Sequence, residues 1–193
     1  LVDKCAACLT CLRVCPFEAP RVTDVARIPS DRCQACGICV AECPANAIVM
    51  RSYNPHELVA RTLEALEGMG GRKAVAYIGG FCATAAEWRS EVGDRVPGVA
   101  EIYLSSTGGV SVAEVLHAFE NGADAVAVIT CKDATERYPT VALRTRRRVE
   151  QAQEMLKEIG ISPARLQVFE VADAGRGAVR EALARIAQEA ARA

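Results

Sequence analysis

The sequence predicts two unlike units in tandem: a small α+β unit organised by cysteine, then an α/β doubly wound unit with a four-stranded parallel sheet. Three observations carry this. Eight of the ten cysteines fall within the first 43 of 193 residues. Those eight form two copies of one spacing. After residue 73, short apolar runs alternate with stretches of helical length, the signature of a parallel sheet covered on both faces. The boundaries that follow are residues 1–51 for the first unit, a helical linker over 52–72, and 73–193 for the second.

The first copy reads Cys5-Ala-Ala-Cys8-Leu-Thr-Cys11-Leu-Arg-Val-Cys15-Pro16, and the second reads Cys33-Gln-Ala-Cys36-Gly-Ile-Cys39-Val-Ala-Glu-Cys43-Pro44. Between them, residues 21–24 and 26–29 read as short strands around a turn. A unit of about 50 residues with so few apolar side chains has almost no core of its own, so bound cofactors must hold it together.

The spacing C-x2-C-x2-C-x3-C-P is that of [4Fe–4S] binding in bacterial ferredoxins. Three thiolates on a tight loop reach three corners of a cubane. The fourth cysteine is expected to start the next helix, with proline behind it, and to supply the last corner of the other cluster. Cluster I is therefore assigned Cys5, Cys8, Cys11 and Cys43, and cluster II Cys33, Cys36, Cys39 and Cys15. Zinc, the bland alternative, takes C-x2-C pairs well apart to make four ligands, and two complete proline-terminated quartets fit it poorly. Disulfides suit neither such short spacings nor a chain without an export signal. This half resembles the two-cluster ferredoxins over residues 1 to about 51. Its six Lys/Arg against five Asp/Glu favour a docked unit over a freely diffusing acidic carrier.

In the second unit the elements follow in order. Asn54 or Pro55 starts a helix through Leu66, and Gly68, Gly70 and Gly71 end it. Residues 73–79 (KAVAYIG) form an apolar strand and 84–92 a helix. Residues 99–105 (VAEIYLS) form a strand, and 112–121 a helix closed by Gly122. Residues 124–130 (DAVAVIT) form a strand, and 140–159 a long helix ended by Gly160. Residues 165–171 (RLQVFEV) are the last strand and 177–191 the last helix. Right-handed crossovers suggest the strand order 2-1-3-4.

Several stretches carry a resemblance: Gly80-Phe81-Cys82 after the first strand, Val115-Leu116-His117-Ala118-Phe119-Glu120-Asn121-Gly122-Ala123-Asp124, Thr130-Cys131, Tyr138, Arg147-Arg148-Val149, and the run from Leu156 to Leu166. From residue 73 to about 185 the chain is similar to the delta subunit of methyl-viologen-reducing hydrogenases. That domain is often fused to the A-type subunit of heterodisulfide reductase. The resemblance implies a fold and a docking role. The family's [2Fe–2S] cluster is not expected here, because only Cys82 and Cys131 stand at its cysteine positions. Residues 83–86, Ser106 and Glu136 replace the others, and two thiolates are half a ligand set.

Weaker signals remain. Cys82 and Cys131 read as leftover buried cysteines, with a redox pair or a residual metal site at the sheet's switch point as the alternative. Ser105 to Gly109 reads as a plain turn or an anion site. Arg144, Arg147 and Arg148 read as a solvated face or a contact to an acidic partner. His56 and His117 read as ordinary helix residues.

A net charge near zero argues against nucleic acid as a partner, and no run of about 18 apolar residues is present to span a membrane. The expected location is cytoplasmic, either free or on the cytoplasmic face of a membrane complex. A start at Leu1, four residues before Cys5, reads as part of a longer chain. The expected cofactors are two [4Fe–4S] clusters, with no flavin and no catalytic residues on this chain. The expected role is single-electron relay between a heterodisulfide-reductase-type flavin and cluster chain and a partner such as hydrogenase, formate dehydrogenase or a quinone-linked oxidoreductase. The rival reading is a stand-alone two-cluster ferredoxin with a carboxyl-terminal interaction or regulatory module.

Overall fold

The computed structural model describes residues 1–50, 54–79, 96–132, 138, 140–171 and 176–193. Cys82, Glu136 and the helix expected over 84–92 lie outside the described residues.

The amino-terminal half holds an antiparallel pair, β1 (Arg21–Val22) and β2 (Ala26–Arg27), and two helices of about one turn, α1 (Thr10–Val14) and α2 (Ile38–Ala41). The expectation that the fourth cysteine opens a helix is corrected here. Cys15 instead closes α1, in extended backbone at φ −78°, ψ 114°, and a turn follows. The reason is the proline behind it: the pyrrolidine ring clashes with a helical conformation of the residue before it. Cys43 likewise comes after α2 and before a turn at Pro44.

α3 (Pro55–Glu67) starts where the sequence places it. Asn54 Oδ1 accepts from the His56 N–H at 3.0 Å, and Pro55 occupies the first turn, where no N–H is needed. Leu58 and Leu66 bury fully against the sheet. The Thr62 hydroxyl lies 3.1 Å from the Tyr77 hydroxyl. The segment between the two cysteine copies and the first long strand is thus part of the sheet's apolar core.

The sheet contains β3 (Ala74–Gly79), β4 (Val99–Leu104), β5 (Ala125–Cys131) and β6 (Leu166–Val171), all parallel, in the order β4-β3-β5-β6. This is the 2-1-3-4 order. β3 and β5 are buried at every position, and this explains why their sequences are apolar runs rather than alternations. Val75, Tyr77, Val126 and Val128 face α3, α4 (Val112–Glu120) and α5 (Val141–Glu158). Ala74, Ala76, Ala125 and Ala127 face the other way, under Val179, Leu183 and Ile186 of α6 (Arg176–Arg192). α4 begins on a capping box in which Glu114 accepts from the Ser111 N–H at 2.6 Å.

The two halves are packed together. Thr107–Gly109 forms a buried turn after β4, fastened to the sheet by the Thr107 hydroxyl donating to Thr130 Oγ1 at 3.0 Å. This turn lies directly on the second cysteine copy. A Cβ on Gly108 would sit 2.3 Å from the Cys36 carbonyl oxygen, and one on Gly37 would sit 2.7 Å from the Gly109 nitrogen. Glycine is required on both sides of the contact. Cys36 and Ile38 also bury against Tyr138 and Val141, and Phe17 meets Tyr138 edge-on at 6.2 Å between ring centroids.

Arg148 clamps this contact. It donates to Glu42 Oε1 at 3.0 Å, to the Gly108 carbonyl at 3.1 Å and to the Thr107 carbonyl at 3.4 Å. Arg144 adds a second cation 3.8 Å from the same carboxylate. The solvated-face reading of Arg144, Arg147 and Arg148 therefore holds only for Arg147, which is exposed. The acidic group that meets the other two is Glu42 of the same chain. His56 and His117 are exposed helix residues, and His117 pairs with Glu120.

Candidate metal centres

The loops between cysteines take an uncommon backbone path, and both copies take the same one. Ala7 and Ala35, just before the second cysteine, have φ of 50° and 56°. Leu9 and Gly37, just after it, have φ of 64° and 83°. Glu18 and Asn46, three residues past the fourth cysteine, have φ of 49° and 48°. Each pair is related by the 28-residue shift that carries Cys5 to Cys33 (33 − 5 = 28). Only one of these six residues is glycine, so the left-handed turns are held by the surrounding structure at a local cost. Alternation between right- and left-handed residues points successive N–H groups to one side, making a concavity suited to anions such as iron–sulfur clusters.

Two cavities result. One is lined by Cys5, Cys8, Cys11 and Cys43, beneath Val22, Ala26 and Ile48. The other is lined by Cys15, Cys33, Cys36 and Cys39, with Phe17, Ile28 and Met50 around them. Backbone donors reach the sulfurs. The Ala26 N–H donates to Cys5 Sγ at 3.3 Å, and Ala47 N–H to Cys43 Sγ at 3.3 Å. Ala35 N–H donates to Cys33 Sγ at 3.4 Å, and Ala19 N–H to Cys15 Sγ at 3.5 Å. Among the described residues, no three His, Cys, Asp or Glu side chains gather tightly enough to hold a single metal ion. The eight thiols line the two cavities, four to each.

The electrostatics divide the thiols. Burial and then the neighbouring thiols push Cys39 up to about 12. Burial also raises Cys11 and Cys36; Cys43 stands foremost among the thiols that add to it at Cys11, and Cys15 at Cys36. The Ala26 N–H holds Cys5 below the ordinary thiol value, and the Thr10 hydroxyl does the same for Cys8. Buried thiols crowded this way are costly to ionise without a compensating cation, and coordinated iron supplies one. Four thiols per cavity, inward N–H groups and apolar walls fit [4Fe–4S] clusters.

At the carboxyl end of the sheet, Cys131 is buried at the end of β5. Ser106 is also buried, and its Oγ accepts from the Gly108 N–H at 3.1 Å. It is thus committed to forming the turn. The stretch from Ser105 to Gly109, read as a plain turn or an anion site, is in fact the contact between the two halves. Sequence reasoning misses this contact, although paired glycines in both partner segments, Gly37 and Gly108-Gly109, are the trace such a close approach leaves.

Residues 4–48 match the 4Fe-4S dicluster domain model, and residues 80–192 match the model of the methyl-viologen-reducing hydrogenase delta subunit. The chain is 36% identical over 89 residues to the D-type iron-sulfur subunit of the F420-non-reducing hydrogenase vhu of Methanocaldococcus jannaschii, covering 44% of this chain and 66% of that protein. It is 32% identical over 171 residues to the A-type subunit of the ferredoxin:CoB-CoM heterodisulfide reductase of Methanosarcina mazei, covering 86% of this chain and 22% of that one. The corresponding vhu hydrogenase protein of Methanococcus maripaludis is 33% identical over 85 residues, 44% of this chain and 63% of its own length. The chain thus spans less than two thirds of each of these relatives. No helix among the described residues is long and apolar enough to cross a membrane. With more than half its length matched, the chain belongs to the family of methyl-viologen-reducing hydrogenase delta subunits, and it carries a 4Fe-4S dicluster domain ahead of the delta-type domain.

Proposed function

We propose that this chain is an iron–sulfur relay for single electrons within a hydrogenase- or heterodisulfide-reductase-type assembly. It would carry one [4Fe–4S] cluster on Cys5, Cys8, Cys11 and Cys43 and a second on Cys33, Cys36, Cys39 and Cys15. When bound, each such cluster takes up and releases one electron at a time. The observation that carries the reading is the pair of four-thiol cavities built on one repeated turn geometry. The chain's residues contribute ligands, N–H donors to sulfur, and an apolar wall that limits water. The delta-type half covers the second centre and offers its outer surface to partner proteins. Hydrogenase, formate dehydrogenase and quinone-linked enzymes are the partner classes we favour. No [2Fe–2S] cluster is assigned, since Ser106, at a family cysteine position, is already engaged within its turn.

The crossed ligand set is tested by Cys43→Ala on the anaerobically purified chain. Loss of the cluster shared with Cys5, Cys8 and Cys11 is expected, although Cys43 belongs to the second motif. Loss confined to the cluster of Cys33, Cys36 and Cys39 would refute the assignment.

A further inference from the structure

Positions related by the 28-residue shift have the same backbone but unequal surroundings. Cys8 is exposed, while its counterpart Cys36 is 7% exposed. Leu12 is 41% exposed and its counterpart Val40 only 3%. Thr10 Oγ1 lies 3.3 Å from Cys8 Sγ, whereas the corresponding residue beside Cys36 is Ile38, fully buried and without a donor. The cause is the delta-type half, which packs on the second copy. Its turn seats Gly108 against the Cys36 carbonyl, and Arg148 fastens that turn to Glu42. The second cavity keeps its opening at Gln34 and Ala35, both exposed, so the cover acts on the Cys36 side.

We propose that these differences set the reduction potentials of the two centres apart, with the centre on Cys5, Cys8, Cys11 and Cys43 the higher and that on Cys15, Cys33, Cys36 and Cys39 the lower. The inference rests on the two-cluster reading given above. An added electron brings negative charge, which water and hydroxyl donors stabilise and an apolar cover does not. Once Cys8 has lost its proton, the Thr10 hydroxyl becomes a donor to its sulfur, favouring the reduced state. On the second centre, the contact of Gly108 with the Cys36 backbone excludes water. Thr10 and Gly108 act through Cys8 and Cys36 as positioning residues.

The test is an anaerobic redox titration of the full chain followed by paramagnetic resonance. Two separate waves are expected. Thr10→Val should lower the higher wave and leave the lower one in place. Gly108→Val should lift the lower wave alone by admitting water beside Cys36. Should that variant fail to fold, Gly108→Ala, whose Cβ still meets the Cys36 carbonyl, opens the same contact with a smaller side chain and carries the same expectation. A single unresolved wave, or a Thr10→Val shift falling on the lower wave or on both equally, overturns the inference. Iron and sulfide analysis of the same samples separates this from failure of the two-cluster reading, which would show as fewer than two cubane centres.

Discussion

Arg148→Met removes the clamp between the two halves while keeping most of the aliphatic volume. The arginine is 6% exposed and donates to Glu42, Thr107 and Gly108. A hydrogen bond to a charged group contributes about 1.5–3 kcal/mol, and breaking a fully buried pair costs about 3–5 kcal/mol. Here the Glu42 side chain is 27% exposed and Arg144 stays within 3.8 Å of it. The stranded carboxylate is therefore partly rescued, and the lower end applies, about 2 kcal/mol. That loss falls on the opening that parts the two halves. At about 1.4 kcal/mol per tenfold, amides protected by the contact should exchange about thirty-fold faster. Informative amides lie on both sides: Gly108, bonded to Ser106 Oγ, and Val110, bonded to the Thr107 carbonyl; then Val40 and Glu42, bonded to the carbonyls of Gly37 and Ile38. Hydrogen–deuterium exchange with mass spectrometry, on anaerobic protein with its cofactors in place, reads both peptides. β3 and β5 should keep their protection. Unchanged exchange at residues 36–42 and 106–110 would refute the clamp, and equal acceleration throughout the sheet would show that Arg148 supports the fold at large.

Other substitutions probe separate parts of the molecule. Gly37→Ala puts a Cβ 2.7 Å from the Gly109 nitrogen at a φ of +83°; it should destabilise by about 1–3 kcal/mol and promote cluster loss on storage, followed by the bleaching of visible absorbance. Tyr77→Phe strands the Thr62 hydroxyl only partly, since Thr62 also donates to the Leu58 carbonyl at 2.9 Å. A loss of about 1 kcal/mol in denaturant titration is expected. Burial pushes Tyr77 up to about 12, against 10.0 for the free group. Its contribution is therefore complete below pH 10 and declines as pH rises from 10 through 12, where the unfolded chain releases the proton and the folded one holds it. Alkaline unfolding should begin later in Tyr77→Phe, and an identical alkaline limb in both proteins would contradict this. Asp124 runs in the opposite direction: burial opposes its charge, but the Lys73 N–H and Arg72 outweigh burial and hold the carboxyl below 3.8. Its contribution is present above that value and is lost as pH falls through the lowered one, so Asp124→Asn should flatten the acid limb of a thermal-melt series.

The parallel sheet is legible in the sequence because β3 and β5 are near-continuous apolar runs, buried at every position, that alternate with stretches of helical length. Strand order follows from crossover rules, and the helix ends from local chemistry at Asn54, Gly122 and Gly160. The cysteine sets are legible because their spacing is itself the signal. The turn after each fourth cysteine is not, since proline reads as the start of a helix when its stronger effect falls on the residue before it. Contacts such as Arg148 with Glu42, 106 residues apart, leave no periodic trace. An arginine on an amphipathic helix looks the same in sequence whether water or a carboxylate meets it. The unequal burial of the two copies is equally invisible, because it is imposed on a symmetric repeat by the half that docks against one of them.

The claim on which the rest depends is two four-thiol cluster sites and no third centre. Counting iron and acid-labile sulfide in the anaerobically purified chain, with Mössbauer spectra on the same sample, tests it most directly. About eight irons and about eight sulfides per chain are predicted, all in [4Fe–4S] spectra. About ten irons with a [2Fe–2S] component, or one or two metal ions without sulfide, would contradict it.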